Sequence, residues 1–187
     1  DQLEGSGRGF SFQRDEPLDM RYDVRNGETA AAIIARSSVL DLVRIFREYG
    51  EERHAEKFAH AIHNAKQRGA ITTSGMLADV ITDAAGGRGR IHPATKVFMA
   101  LRIAVNHELE NVRAILSSLG NVVRAGGRVA VITFHSVEDR VVKEKFRELA
   151  KEGAAEILTK HVIKPSRAEV LKNPRSRSAK LRVLQVT

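Results

Sequence analysis

His135 and Ser136 stand side by side in the segment Phe-His-Ser-Val-Glu-Asp-Arg (134–140), where an apolar strand pattern hands over to a helical one. A histidine at such a junction can orient a substrate or accept a proton, and the serine adds a hydroxyl beside it. The same residues also fit a plainer use. Ser136 and Asp139 match a capping-box pattern, with Ser136 as N-cap and Asp in place of the usual Glu or Gln. A second cluster is cationic. Residues 160–182 hold eight Lys or Arg, among them Arg175, Arg177 and Lys180, against one acid, Glu169. That density suits phosphate contacts, with a solvated basic loop as the alternative.

The third cluster is Gly-Arg-Gly-Phe-Ser-Phe (7–12). Arg8 sits on a glycine-rich loop and can add to a cationic surface. Phe10 and Phe12 either stack on a base or a cofactor ring, or pack into a core. Asp19 and Asp23 follow in Pro-Leu-Asp-Met-Arg-Tyr-Asp, either as polar site groups or as partners of Arg21. The string Gly-Ser-Gly-Arg-Gly has no strand before it, which excludes a dinucleotide fingerprint. His54, His60 and His63 share one helix but lack a carboxylate or Cys partner set, so no metal is expected there.

Several elements must position these groups. Residues 1–27 read as loop, broken by Gly5, Gly7, Gly9, Pro17 and Gly27. Residues 28–84 read as four helices: Ala30–Ala35, one capped at Ser37 or Ser38 and running to Tyr49, Glu51–Arg68, and one capped at Thr72-Thr73. Pro93 opens a long helix over 94–119, whose stripe is Val97, Leu101, Val105, Leu109, Val112, Leu116 and Leu119. Arg128–Phe134 reads as a strand with continuous apolar character, which predicts a central parallel strand covered on both faces. A helix over 137–151 follows, then strands at 156–162 and 181–186. This order is the closing half of a doubly wound α/β sheet, with a ligand at the strand ends. Without opening strands, residues 128–134 would present an uncovered apolar edge, so the isolated chain is expected to aggregate or associate, a homodimer included.

Composition narrows the partners. The net charge is +8 and the pI about 10.1, which favours RNA or DNA as a polyanionic partner. Aromatics are only 5%, so stacking platforms are few. The absence of Cys excludes disulfides and fits a reducing cytoplasm. No run of eighteen apolar residues exists, and the first residues lack the pattern of a signal peptide.

Six ordered strings carry a resemblance over nearly the whole chain: GRGFSF with PLDMR, REYGEER (47–53), ITTSGML, HPATKVFMALRIAVNHELE (92–110), VITFHSVEDRVVK (131–143) and NPRSRSAKLRV (173–183). The chain resembles the bacterial ribosomal small-subunit RNA cytosine-N4 methyltransferases, the RsmH or MraW family. The resemblance implies a class I, Rossmann-like methyltransferase fold using S-adenosylmethionine, with an all-helical substrate-recognition domain inserted at 28–91. Residues 1–27 would then be a loop segment of the methyltransferase domain, and 92–187 its C-terminal part. The family's glycine-rich cofactor motif would lie upstream, making this chain a fragment expected to be inactive alone. Only Gln2 matches a cofactor-binding position. The implied reaction is methylation of the N4 amine of a cytidine in 16S rRNA of the small ribosomal subunit, near the decoding centre. His135, Ser136 and Asp19 are then candidates for polar groups at the target pocket, and Arg8, Arg175, Arg177 and Lys180 for RNA contacts. A non-catalytic RNA-binding module is the alternative.

Overall fold

Ser38 and Asp41 close a capping box in which each side chain accepts from the other's backbone N–H, and this starts a helix over Val39–Glu48. In the computed structural model, which describes residues 6–87 and 91–187, that helix is α2. It follows α1 (Ala30–Arg36), capped by Thr29. Then come α3 (Ala55–Arg68), α4 (Ser74–Ala85), capped by Thr73, and α5 (Ala94–Asn106). These helices belong to a compact unit spanning Asp1–His107. Leu42, Phe46, Phe58, Ile62, Leu77, Ile81 and Leu101 fill its core. Glu51 and Arg53 precede α3 instead of opening it, so the third helix is shorter than its sequence pattern suggests.

The loop before α1 is strapped to these helices. Leu18 N–H donates to the Thr72 carbonyl at 2.9 Å and Ser74 N–H to the Glu16 carbonyl at 2.9 Å. Gly75 N–H donates to Asp15 Oδ1 at 2.9 Å. A Cβ on Gly75 would lie 2.6 Å from that oxygen, and one on Gly9 (φ 69°) would lie 2.5 Å from the Pro17 carbonyl oxygen. The approach to backbone at Gly9 requires glycine, whereas a side chain at Gly75 would displace the Asp15 carboxylate. Leu18 and Met20 end fully buried in the helical core, Met20 with φ of 62°.

The predicted helix over 94–119 is interrupted. His107 takes a left-handed conformation (φ 50°) and ends α5. The chain resumes as α6 (Glu108–Ser117) and a short α7 (Leu119–Val122). The apolar stripe runs through the break without Gly or Pro, so nothing local marks it.

A second unit spans Glu108–Thr187. It contains β1 (Arg128–Thr133), α8 (Ser136–Lys151), β2 (Ala155–Ile157), α9 (Arg167–Lys172), a 3₁₀ turn over Pro174–Ser178, and β3 (Lys180–Val186). The sheet order is β1-β3-β2, and both pairings are antiparallel, with Val131 opposite Arg182 and Glu156 opposite Gln185. This corrects the central parallel strand: among the described residues β1 is an edge strand with no parallel neighbour. Nor are both its faces covered. Val129, Val131 and Thr133 are sheltered, whereas Arg128, Ala130 and Ile132 are exposed, Ile132 to 59%. The apolar run misled because Ala130 and Ile132 are apolar residues on the open face. Leu116, Val142, Phe146, Leu184 and Val186 form the unit's core, beneath α8. The fold is therefore α/β, with helices and a small antiparallel sheet.

Candidate functional site

Chemistry concentrates where β1 ends and α8 begins. The N-cap of α8 is His135, one residue earlier than the capping-box reading of Ser136 and Asp139, and this corrects that reading. His135 Nδ1 accepts from the Glu138 N–H at 3.3 Å, and Glu138 Oε2 in return accepts from the Phe134 N–H at 3.1 Å. Ser136 becomes the first helical residue. The reciprocal bonds satisfy orphan donors of the helix start with an imidazole in place of a hydroxyl.

That arrangement fixes the ring's chemistry. A neutral imidazole whose Nδ1 accepts carries its proton on Nε2. His135 Nε2 is shielded from solvent and has no well-aligned hydrogen-bond partner, although Glu138 Oε2 lies 3.2 Å away. Glu108, at the start of α6, brings a carboxylate to the same place: one ligand-type atom from each of Glu108, His135 and Glu138 lies within 4.8 Å of the others. A metal at Nε2 would need the ring proton moved to Nδ1, against the Glu138 N–H. The trio therefore suits proton exchange or hydrogen bonding to a polar substrate group better than it suits a metal. Sequence reading found His135 but missed both glutamates. Glu138 is legible as its third neighbour on a helix, whereas Glu108 arrives only by the packing of α6 on α8.

Asp139 serves elsewhere. Its carboxylate accepts from Arg182 Nε at 2.7 Å and Nη2 at 3.1 Å, and from Lys180 Nζ at 3.3 Å. The Arg182 hydrogen bonds hold the Asp139 carboxyl below its usual range, against the opposing effect of burial, and Lys180 adds to this. Lys180, expected as an RNA contact, is thus partly committed to an internal ion pair. Arg175 and Arg177 are exposed, flanking Ser176, which is buried and donates from Oγ to the Asn173 carbonyl at 2.8 Å. The 3₁₀ turn therefore presents both arginines outward.

In the helical unit, Asp19 is paired rather than open. Arg21 donates from Nε to Asp19 Oδ1 at 2.8 Å and from Nη2 to Oδ2 at 2.9 Å. This pair lowers the Asp19 pKa, which weakens it as a proton acceptor. Arg8 Nη1 donates to the Arg21 carbonyl at 2.7 Å and the Tyr22 carbonyl at 3.1 Å, and its guanidinium lies 5.3 Å from the Phe10 ring centre. Phe10 stacks on half-exposed Tyr22, while Phe12 stacks on His92 and meets Phe98 edge-on. Gln2 lies outside the described residues.

A polar trio at a strand-to-helix junction and outward cations on the same unit define an α/β protein. The family model described as the MraW methylase family matches residues 1–187, and the chain belongs to that family. Curated relatives agree. The chain is 44% identical to the ribosomal RNA small subunit methyltransferase H of Desulfosudis oleivorans, covering 98% of this chain and 65% of the relative. It is 47% identical to the proteins of that name from Elusimicrobium minutum and Coprothermobacter proteolyticus, covering 98% of this chain and 63% and 62% of theirs. The chain thus spans less than two thirds of the length of these relatives. Among the described residues no helix is long and apolar enough to cross a membrane.

Proposed function

We propose that this chain is the part of a ribosomal RNA methyltransferase that holds the RNA and one wall of the target pocket. The observation that carries the reading is the family match over residues 1–187. In this reading the protein transfers a methyl group to the N4 amine of a cytidine in 16S rRNA of the small subunit, near the decoding centre, in the cytoplasm. Residues 28–91 are the inserted recognition domain. Residues 1–27 and 92–187 belong to a Rossmann-like methyltransferase domain.

S-adenosylmethionine would supply the methyl group. No described residue forms a cradle we can assign to it, and Gln2, the one matched position, lies outside the described residues. What this chain's own residues contribute is orientation. The cytidine amine is a poor nucleophile because its lone pair is delocalised into the ring, so it must be positioned and hydrogen-bonded. The base must also leave its stack to reach a pocket. His135, with a proton on Nε2, donates toward an acceptor on the base. The neighbouring Glu138 carboxylate is suited to accept from the amine. Ser136 remains a candidate beside them, and Asp19 a weaker one because Arg21 occupies it. Arg8, Arg175 and Arg177 are the proposed phosphate contacts, with Lys180 limited by Asp139.

Incubation of the whole enzyme with S-adenosylmethionine and a small-subunit RNA fragment tests this, with nucleoside mass spectrometry as the readout. N4-methylcytidine is expected; a different methylated nucleoside would overturn the target assignment. A non-catalytic RNA-binding module is the second reading, favoured by the net charge of +8 and the outward arginines. It predicts RNA binding without any methylated product.

A further inference from the structure

Four cations line one small cleft of the second unit, and no acid lines it with them: Lys143 and Arg147 from α8, Lys160 after β2, and Arg182 from β3. We propose that this cleft binds a single phosphodiester group of the RNA, a site additional to Arg8, Arg175, Arg177 and Lys180. The inference rests on the RNA substrate of the preceding section.

The sequence places Lys143 and Arg147 four residues apart on one helix, a spacing at which like charges repel. Nothing in the structure relieves them. Lys143, Arg147 and Lys160 form no ion pair or hydrogen bond with any described residue. The nearby Lys145 takes Glu148 instead, at 2.7 Å. Arg182 is pinned through Nε and Nη2 to Asp139, which fixes its guanidinium and leaves Nη1 for another acceptor. Three cations without a partner among the described residues, beside a guanidinium fixed by Asp139, are prepared for an anion.

Size selects the kind of anion. The cleft measures about 70 Å³. That space admits a compact tetrahedral group. Phe146 and Ile157 form apolar lining, where attraction between charges exceeds its value in bulk water. Thr159 is not available as a donor, because its Oγ1 serves the Val183 backbone.

The test measures binding of the whole chain to a fluorescently labelled RNA hairpin across a series of KCl concentrations. Each phosphate contact contributes about 0.9 to the log–log salt slope. The triple variant K143Q/R147Q/K160Q is expected to lower that slope by about 0.9, the share of one phosphate, and the affinity at least tenfold. A control removing Arg124 and Lys151, cations of the same unit outside the cleft, is expected to change the slope by less than about 0.3. If the triple variant binds like the unaltered chain, or if the control loses as much per charge, the cleft is overturned while RNA binding stands. If the unaltered chain binds no RNA, both readings fall. Should circular dichroism show the triple variant unfolded, Lys160→Gln, outside any helix, carries the same test through affinity, with an expected loss of roughly twofold against none for the control.

Discussion

Arg182 grips Asp139 across 43 residues of sequence, with Nε on one carboxylate oxygen at 2.7 Å and Nη2 on the other at 3.1 Å. The pair ties the first turn of α8 to the middle strand of the sheet. Both side chains are mostly buried, at 11% and 14% exposure. Removing one partner would leave the other charge buried and uncompensated. Asp139→Ala is therefore expected to cost about 3 kcal/mol of unfolding free energy. Urea denaturation checks this, and a double-mutant cycle with Arg182→Met should recover a large part of the loss. Simple additivity of the two changes would show that the pair is not coupled.

The same pair sets a pH dependence. Asp139 is held below the ordinary carboxylate value of 3.8 in the folded protein, chiefly by the Arg182 hydrogen bonds. A lowered folded value means that its contribution is fully present above the unfolded value and is lost as pH falls through the folded one. Stability of the second unit should hold at neutral pH and erode in acid below about pH 4. Replacing Arg182 with Gln should flatten that acid limb, seen as a smaller change in urea midpoint between neutral and acid buffers.

His135 combines a cap with a candidate catalytic proton, and the two roles separate by substitution. His135→Ala should lose about 1 kcal/mol from the missing cap. His135→Asn keeps a good N-cap and should retain most of that stability. If the ring's Nε2–H acts on the base, the Asn variant should still lose turnover, by roughly a hundredfold. A folded, stable Asn variant with full methyl transfer would leave His135 a cap and nothing more.

Asn106 is the clasp between α5 and the loop before α1. Its Nδ2 donates to the Met20 carbonyl at 2.7 Å and the Arg102 carbonyl at 2.9 Å, and its Oδ1 accepts from the Tyr22 N–H at 2.7 Å. Asn106→Ala should cost about 2 kcal/mol, since these backbone groups lose their partner. Hydrogen exchange at the Tyr22 amide should accelerate, while amides in the middle of α3 change little.

The edge of β1 carries a liability. Ile132 and Phe134 are 59% and 54% exposed beside an unpaired strand edge. The isolated chain should self-associate, and light scattering should show Ile132→Lys reducing it. A monomeric unaltered chain with one sharp thermal transition would remove this expectation.

How much of this was legible depends on how local each signal is. Caps at Ser38 and Thr73 and the spacing of Leu42 and Phe46 announced their helices, because capping and periodicity act within one or two turns. The left-handed turn at His107 was hidden, since the stripe from Val97 to Leu116 continues past it. The α8 cap was misplaced by one residue because Ser is the commoner N-cap, and His135 won through its bond to Glu138. The direction of the strand pairing and the partners of Asp139 depend on residues some 40 or more positions away, where no local pattern reaches. His135 was found from type and position. Glu108 and the cationic cleft were not, because only tertiary packing assembles them.

Leu18 and Met20 sit in the same core as Leu77 and Ile81, yet they come from outside the segment 28–91. That helical segment therefore borrows its plug. Grafted alone onto another scaffold, it would open a cavity where the two side chains had been and strip Thr72 and Ser74 of their backbone partners. An exchange of residues 28–91 between relatives should carry residues 8–20 along with the helices. Gly9 must be kept in any such exchange, since a side chain there would meet the Pro17 carbonyl that precedes the plug.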